Sequence, residues 1–252
     1  MSDRCERVIA GARLLAYEMM ARQRTIRRQI IDTMPRRSER GDHWCTARSE
    51  PGQPRFDGAP MSVPTAVRLP FRFDAAALAA DAAALAADAW EPHFNTRQYE
   101  GDWSGVPLRI AAGGALALYP DPTSDRFEDN EPLGRCPSVI DALAQLKCPV
   151  QTVRFLRLGP GSRIKEHRDH RLSYADGELR LHVPVTTDSD VDFRVGGSTV
   201  TMAPGDVWYL DLSQSHSVTN FGVHVRVHLA IDCVVNYWLS AQLAAGSSRQ
   251  AQ

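Results

Sequence analysis

Leu179-Arg180-Leu181-His182-Val183-Pro184-Val185 alternates strictly between two kinds of side chain. Successive residues of a strand point to opposite faces, so Leu179, Leu181, Val183 and Val185 share one face and Arg180 and His182 the other. Residues 223–229 repeat the design, with Val223, Val225, Val227 and Leu229 on one side and His224, Arg226 and His228 on the other. Either the apolar face packs while the polar face meets solvent, or the polar residues line a pocket inside a two-sheet roll. Solvent is the ordinary destination for a single strand. Two strands carrying Arg and His among tight apolar neighbours favour a pocket for an anionic ligand. Arg suits that role because its rigid fork meets a carboxylate through two nitrogens.

The sequence around these segments has the texture of an all-β domain. Val150–Leu158, 178–187, Val191–Val195, 198–202, 207–212, His216–Asn220 and 223–234 read as strands. Breaks at Ala175-Asp176-Gly177, Gly196-Gly197 and Pro204-Gly205-Asp206 separate several of them, and Gly196-Gly197 fits a hairpin turn. Short strands at regular spacing indicate a sandwich or barrel. Upstream, residues 74–90 read as a helix capped by Asp74, 106–119 as a strand region, and 138–147 as a second helix opened by Pro137-Ser138.

Residues 1–60 differ from the rest. An Arg-rich helical pattern gives way to the polar, Pro- and Gly-containing stretch 35–60. This segment is expected to be a poorly ordered or helical extension, with Met61 as an alternative translation start. The jelly-roll domain is expected over residues 61–245, and 246–252 as a tail.

Composition narrows the partners. A net charge of −1 gives no reason to expect nucleic acid, because phosphate-binding domains are usually basic. No apolar run approaches the roughly 20 residues that span a bilayer, and the N-terminus lacks a signal-peptide pattern, so no membrane partner and a cytoplasmic location are expected. The five cysteines are scattered without a C-x-x-C, which argues against a disulfide framework and a zinc–cysteine site.

His167-Arg168-Asp169 follows a strand, and His216 opens another 47 residues after Asp169. Period-2 spacing puts His167 and Asp169 on one face of an extended segment, and a distant strand His can complete one triangular face around a metal. Two imidazoles and a carboxylate leave three octahedral positions open, which suits Fe(II) with a co-substrate and O2. Taken alone, H-x-D…H is a spacing that eight histidines can produce by chance, and His170 or Asp176 could replace a named ligand.

Together these residues resemble the aspartyl/asparaginyl β-hydroxylase family, which includes bacterial proline hydroxylases, over about residues 93–232. The resemblance is carried by Pro160-Gly161…His167-x-Asp169, by Arg180-x-His182-x-Pro184, and by Trp208-Tyr209-Leu210-Asp211…His216…Asn220…Arg226…Asp232. Phe94-Asn95…Trp103-Ser104-Gly105 is similar to that family's opening segment. The resemblance implies a double-stranded β-helix (a jelly roll, cupin-like, with flanking helices) and an Fe(II)- and 2-oxoglutarate-dependent hydroxylase. It implies that His167, Asp169 and His216 hold iron and that Arg226 pairs with the distal carboxylate of 2-oxoglutarate. His182 would contact the co-substrate, and Arg180 the co-substrate or the substrate carboxylate. One departure is visible: a serine that helps the 2-oxoglutarate carboxylate in some members falls at Leu156. Arg154, on the same strand face, is then the candidate helper for Arg226. The chemistry belongs to the metal, so no separate acid–base residue is assigned. The substrate expected is an amino acid or an Asp/Asn residue of a peptide. Asp211, Asn220 and Asp232 are expected near the site or at strand ends. The alternatives are a metal-dependent cupin enzyme that does not use 2-oxoglutarate and a non-enzymatic sensor.

Overall fold

A computed structural model describes residues 63–113, 118, 124–169 and 172–250. Residues 1–60, expected as an extension, and His170, considered as a ligand, lie outside the described residues. Two antiparallel sheets form the body. The larger contains, in spatial order, β1 (Ala66–Arg72), β11 (Asp206–Leu210), β8 (Glu178–Thr186), β13 (Arg226–Val234), β6 (Val150–Leu158), β4 (Trp103–Ala111) and β2 (Glu91–Pro92). β5 (Phe127–Asp129) pairs with β4 beside this row. The smaller sheet runs β10 (Ser198–Thr199), β9 (Val191–Val195), β12 (His216–Asn220), β7 (Arg163–His167) and β3 (Tyr99–Glu100). The expected jelly-roll, cupin-like class is therefore observed.

Among the described residues three α-helices flank the larger sheet: α1 (Ala75–Ala84), α2 (Pro137–Ala144) and α3 (Tyr237–Gln250). Leu78, Val139, Leu239 and Leu243 from these helices pack with Val153, Phe155, Leu181, Val183, Leu229 and Ile231 of the sheet. A second apolar cluster joins the two sheets through Trp103, Leu158, Trp208, Ile164, Phe193 and Val218. Both faces of β8 and β13 are therefore covered, and the alternation seen in sequence separates a helix-facing side from a side turned into the roll. None of the helices among the described residues is long and apolar enough to cross a membrane.

Several boundaries move for identifiable reasons. β13 begins at Arg226 rather than 223, and Val223 and Val225 are exposed. Asn220 makes this stretch a loop: its side-chain amide donates to the carbonyls of Leu158, Gly159 and His224, and its Oδ1 accepts from Gly222 N–H. α1 is capped by Asp74, which accepts from the backbone N–H groups of Ala76 and Ala77, but it ends at Ala84 because Leu85 turns extended and inward. Tertiary packing thus overrides the helix propensity of the alanine run. α2 starts one residue early, at Pro137, where the missing N–H is harmless. Gly196 and Gly197 make the expected turn, with φ of 56° and 82° that only glycine adopts readily. The C-terminal helix takes in residues 246–250, where a tail is expected from the sequence.

Candidate metal centre

His167 ends β7 and His216 opens β12, and the two are direct cross-strand partners. That register brings their rings to 4.2 Å between centroids. Asp169 lies two residues beyond β7, held by its backbone N–H donating to Leu212 O at 2.9 Å. One ligand atom from each of His167, Asp169 and His216 lies within 4.8 Å of the others, so the three could hold a metal ion.

The imidazoles are oriented for that role. His167 Nδ1 lies 2.7 Å from Lys165 O, and His216 Nδ1 lies 3.0 Å from Gln214 O. A carbonyl only accepts, so each Nδ1 carries the proton and each Nε2 keeps a lone pair for a metal. Burial, and then the neighbouring His167, pushes the His216 pKa down, which keeps its ring in the neutral form a metal requires. Asp176, the alternative carboxylate, instead accepts from Ser173 Oγ at 2.6 Å.

The inner face of the larger sheet forms the opposite wall. Arg154, Arg180, His182, Arg226, His228 and Asp232 are all buried there. The polar faces of the two strands are thus turned inward rather than to solvent from Arg180 to His182 and from Arg226 on. Arg180 donates Nε to Asp232 Oδ1 at 2.6 Å and Nη1 to Asp169 Oδ2 at 3.1 Å, tying this wall to the His–Asp–His group. Arg154 donates Nη1 to Asp232 Oδ2 at 3.0 Å and to Thr152 Oγ1 at 2.7 Å. Burial pushes the Asp232 pKa up, but Arg154 and Arg180 outweigh it and hold the carboxyl well below its ordinary value.

Arg154 is expected from the sequence to help Arg226, and the register separates them. Arg154 pairs across strands with Ala230, two same-face positions along β13 from Arg226, and Asp232 engages it there. The neighbour of Arg226 is His228, whose Nδ1 accepts from Arg226 Nη2 at 2.7 Å. Leu156 is the cross-strand partner of His228. His228 therefore lies beside the position where some members carry serine.

Arg226 is 3% exposed and forms no ion pair with a carboxylate among the described residues. Its guanidinium lies over Phe193 at 5.4 Å, its Nε has no hydrogen-bond partner among the described residues, and burial pulls its pKa down to about 9. Both ring nitrogens of His182 and the indole Nε1 of Trp208 are also buried without partners among the described residues. Trp208 and His182 are cross-strand partners on one face. Each orphaned neutral group costs about 1–3 kcal/mol, and a charged one more, so this wall carries unmet polar atoms that a polar ligand could satisfy.

His228 and Trp208 join this wall without a role assigned to either from the sequence. His228 shares a strand face with Arg226, a visible signal, but only the Leu156 register shows what it touches. Of the residues weighed beside the site, Asp211 accepts from Ser213 in a turn, Asn220 holds the loop before β13, and Asp232 lies within the inner wall.

Comparison with known proteins gives an independent view of the whole domain. A 2OG-Fe(II) oxygenase-family oxidoreductase from Burkholderia pseudomallei is 16% identical, with a TM-score of 0.48, covering 68% of this chain and 85% of that one. A nickel complex of the non-heme monooxygenase ThoJ is 17% identical with a TM-score of 0.37, covering 68% and 74% of the two chains. A cupin domain from Bordetella pertussis Tohama I is 22% identical with a TM-score of 0.28, covering 36% and 88%. The family described as aspartyl/asparaginyl beta-hydroxylase matches residues 73–235, which takes in both sheets' site residues from His167 to Asp232. The chain belongs to the aspartyl/asparaginyl β-hydroxylase family.

Proposed function

We propose that this protein is an Fe(II)- and 2-oxoglutarate-dependent dioxygenase that hydroxylates an unactivated C–H bond of an amino acid, or of an Asp or Asn residue in a peptide. The observation that carries this is Arg226, a buried guanidinium without a carboxylate partner among the described residues, in the same interior as His167, Asp169 and His216. A buried cation left unpaired is strongly unfavourable, and a dicarboxylate supplies the missing charge.

Family membership supports hydroxylase chemistry, and the residues fit the cofactors by type. His167, Asp169 and His216 would hold Fe(II) through two imidazole Nε2 atoms and a carboxylate oxygen. Arg226, steadied by His228, would receive the distal carboxylate of 2-oxoglutarate. His182 and the Trp208 indole would hydrogen-bond the remaining oxygens. When bound, iron with 2-oxoglutarate and O2 would supply the oxidation of the C–H bond. The apolar cluster joining the sheets would keep water from the reacting centre. A small-molecule amino acid is the preferred substrate, and the location proposed is the cytoplasm.

The test is anaerobic addition of Fe(II) and 2-oxoglutarate, followed by O2 and a panel of amino acids. A metal-to-ligand charge-transfer band and then succinate release are expected. Absence of the band would sink the proposal.

A further inference from the structure

His93 lies in the segment after β2, and its backbone N–H donates to Trp103 O at 2.8 Å. Its ring stacks on the Trp103 indole, with centroids 3.5 Å apart and planes at 11°, and Tyr99 meets it edge-on. The ring is thus held on three sides: backbone, stacked face and edge. Its polar atoms are also committed in a definite way. Nδ1 accepts from Asn95 N–H at 3.3 Å, which places the proton on Nε2, and Nε2–H donates to none of the described residues.

Trp103 belongs to the apolar cluster between the sheets, and Tyr99 pairs with Ile164 of β7, so the His93 ring touches both sheets next to the strand that ends at His167. Arg154, Arg180, Asp169 and His167 all act on the ring, with Arg154 and Arg180 the strongest. Burial first, and then these two guanidiniums, push its pKa down to about 3, so the ring is neutral at working pH. Arg154 spends its Nη1 on Thr152 and Asp232, and its Nη2 and Nε groups donate to none of the described residues. His93 and Arg154 therefore leave N–H donors uncommitted, and the Nε1 of Trp103, on which His93 stacks, is buried without a partner among the described residues.

The geometry points to His93 as a substrate-binding residue, its Nε2–H donating to the carboxylate of an amino acid placed beside the His167–Asp169–His216 centre. This inference rests on the dioxygenase reading above. The interior then has two binding regions. Arg226, His228, His182 and Trp208 take the co-substrate, while His93, within the field of Arg154, takes the substrate. A neutral donor on a stacked ring selects an oxygen acceptor without adding a further buried cation. The rigid stack also limits where that oxygen sits, which is what aiming one C–H bond requires.

Two variants separate the donor from the stack. His93→Phe keeps an aromatic face on Trp103 and removes Nε2–H, and His93→Gln removes the ring and restores an N–H donor. Each is titrated anaerobically as the Fe(II)–2-oxoglutarate protein with the twenty common L-amino acids, reading the shift of the charge-transfer band. In His93→Phe the band and the 2-oxoglutarate affinity are expected within twofold of wild type. The Kd of the responding amino acid is expected to rise about tenfold to a hundredfold, as for a lost hydrogen bond to a charged acceptor. His93→Gln is expected to recover most of that loss. An unchanged Kd in His93→Phe overturns the inference, and so does a wild-type band that no amino acid shifts. Should His93→Phe fail to fold, His93→Leu, which also lacks the donor, takes its place: a tenfold rise in Kd supports the role and an unchanged Kd overturns it. A wild-type protein with no band at all refutes the dioxygenase reading itself, a failure distinguishable from the others.

Discussion

Arg180 grips Asp232 through two nitrogens, Nε to Oδ1 at 2.6 Å and Nη2 to Oδ2 at 3.2 Å, and reaches Asp169 with its third, Nη1 to Oδ2 at 3.1 Å. One side chain therefore connects a strand carboxylate of the larger sheet to the carboxylate of the candidate metal centre. Arg154 and the Thr152 hydroxyl bind the same Asp232, so two buried cations depend on one anion. Asp232→Asn is expected to destabilise the protein by about 3–5 kcal/mol, the usual result of leaving buried charge uncompensated. With Arg180 no longer held, metal affinity is expected to fall about 10–100-fold, as when a partner that orients a ligand is removed. Thermal melts and a Co(II) titration measure the two effects. A Tm within about 2 °C of wild type, less than a 1 kcal/mol loss produces, would refute the clamp.

Arg226 presents the opposite case, a buried cation among residues that do not neutralise it. Arg226→Met fills a similar volume without charge. The ligand-free variant is expected to be more stable than wild type by about 1–4 kcal/mol, the range seen when buried ionic groups give way to packed apolar ones. Its affinity for 2-oxoglutarate is expected to fall at least about tenfold, with Fe(II) still bound. Stability and co-substrate affinity moving in opposite directions is the signature sought by melting and titration. Unchanged 2-oxoglutarate affinity would remove Arg226 from its role.

His216 supplies an Nε2 lone pair that His167 and Asp169 cannot replace, because its Nδ1–H is fixed by Gln214 O. His216→Ala is expected to abolish Fe(II) binding measured by equilibrium dialysis, while far-UV circular dichroism stays that of wild type. Retention of stoichiometric iron would show that the metal is held elsewhere.

The histidines of the inner wall make stability depend on pH. Burial, with Arg180 and Arg226 acting on His182 and Arg226 acting on His228, pushes both pKa values well below 6.5. Below about pH 6.5 the unfolded chain takes up protons that the folded chain refuses. The stability is therefore complete above pH 6.5 and lost as pH falls, by up to about 1.4 kcal/mol per pH unit for each group. His93 and His216 add to the same trend. Asp232, with its lowered pKa, loses its contribution only below about pH 4 and does not enter this window. Melts of metal-free protein from pH 8 to pH 5 should show Tm flat at first and then falling. A Tm that stays level to pH 5 would mean that these rings are not buried neutral.

Much of this is legible in residue order, and what is not has a physical cause. The alternation in residues 179–185 reveals a polar face, but either outcome for that face is consistent with the sequence. Burial by α1, α2 and α3 on the other side decides it, and helix placement is a tertiary fact. The H-x-D…H spacing is enough to point to a group that could hold a metal, because His167 and His216 meet by simple antiparallel pairing. The sequence misplaces Arg154 because face alternation gives the side of a strand and not the position along it. Two same-face steps separate Arg226 from the position that Arg154 faces. His93 stands out only in the structure, because its importance depends on a stack with Trp103 and on Arg154, contacts between segments apart in sequence.

The C-terminal helix is not legible in the sequence either, and its packing yields a test in which two effects of opposite sign compete. Gly246 lies within α3, against the backbone of β1. On helix propensity alone, Gly246→Ala would stabilise by about 1 kcal/mol. A Cβ there, however, would stand 2.4 Å from Arg68 O and 2.8 Å from Val67 Cγ1. Arg68 belongs to β1, which is paired to β11, so its carbonyl cannot move without disturbing the sheet edge. The clash should prevail, since overpacking commonly costs about 1–3 kcal/mol and α3 must lift from the strand. Gly246→Ala is expected to lower Tm, with faster hydrogen exchange confined to α3 and β1. A variant more stable than wild type would show that α3 does not pack closely on this edge.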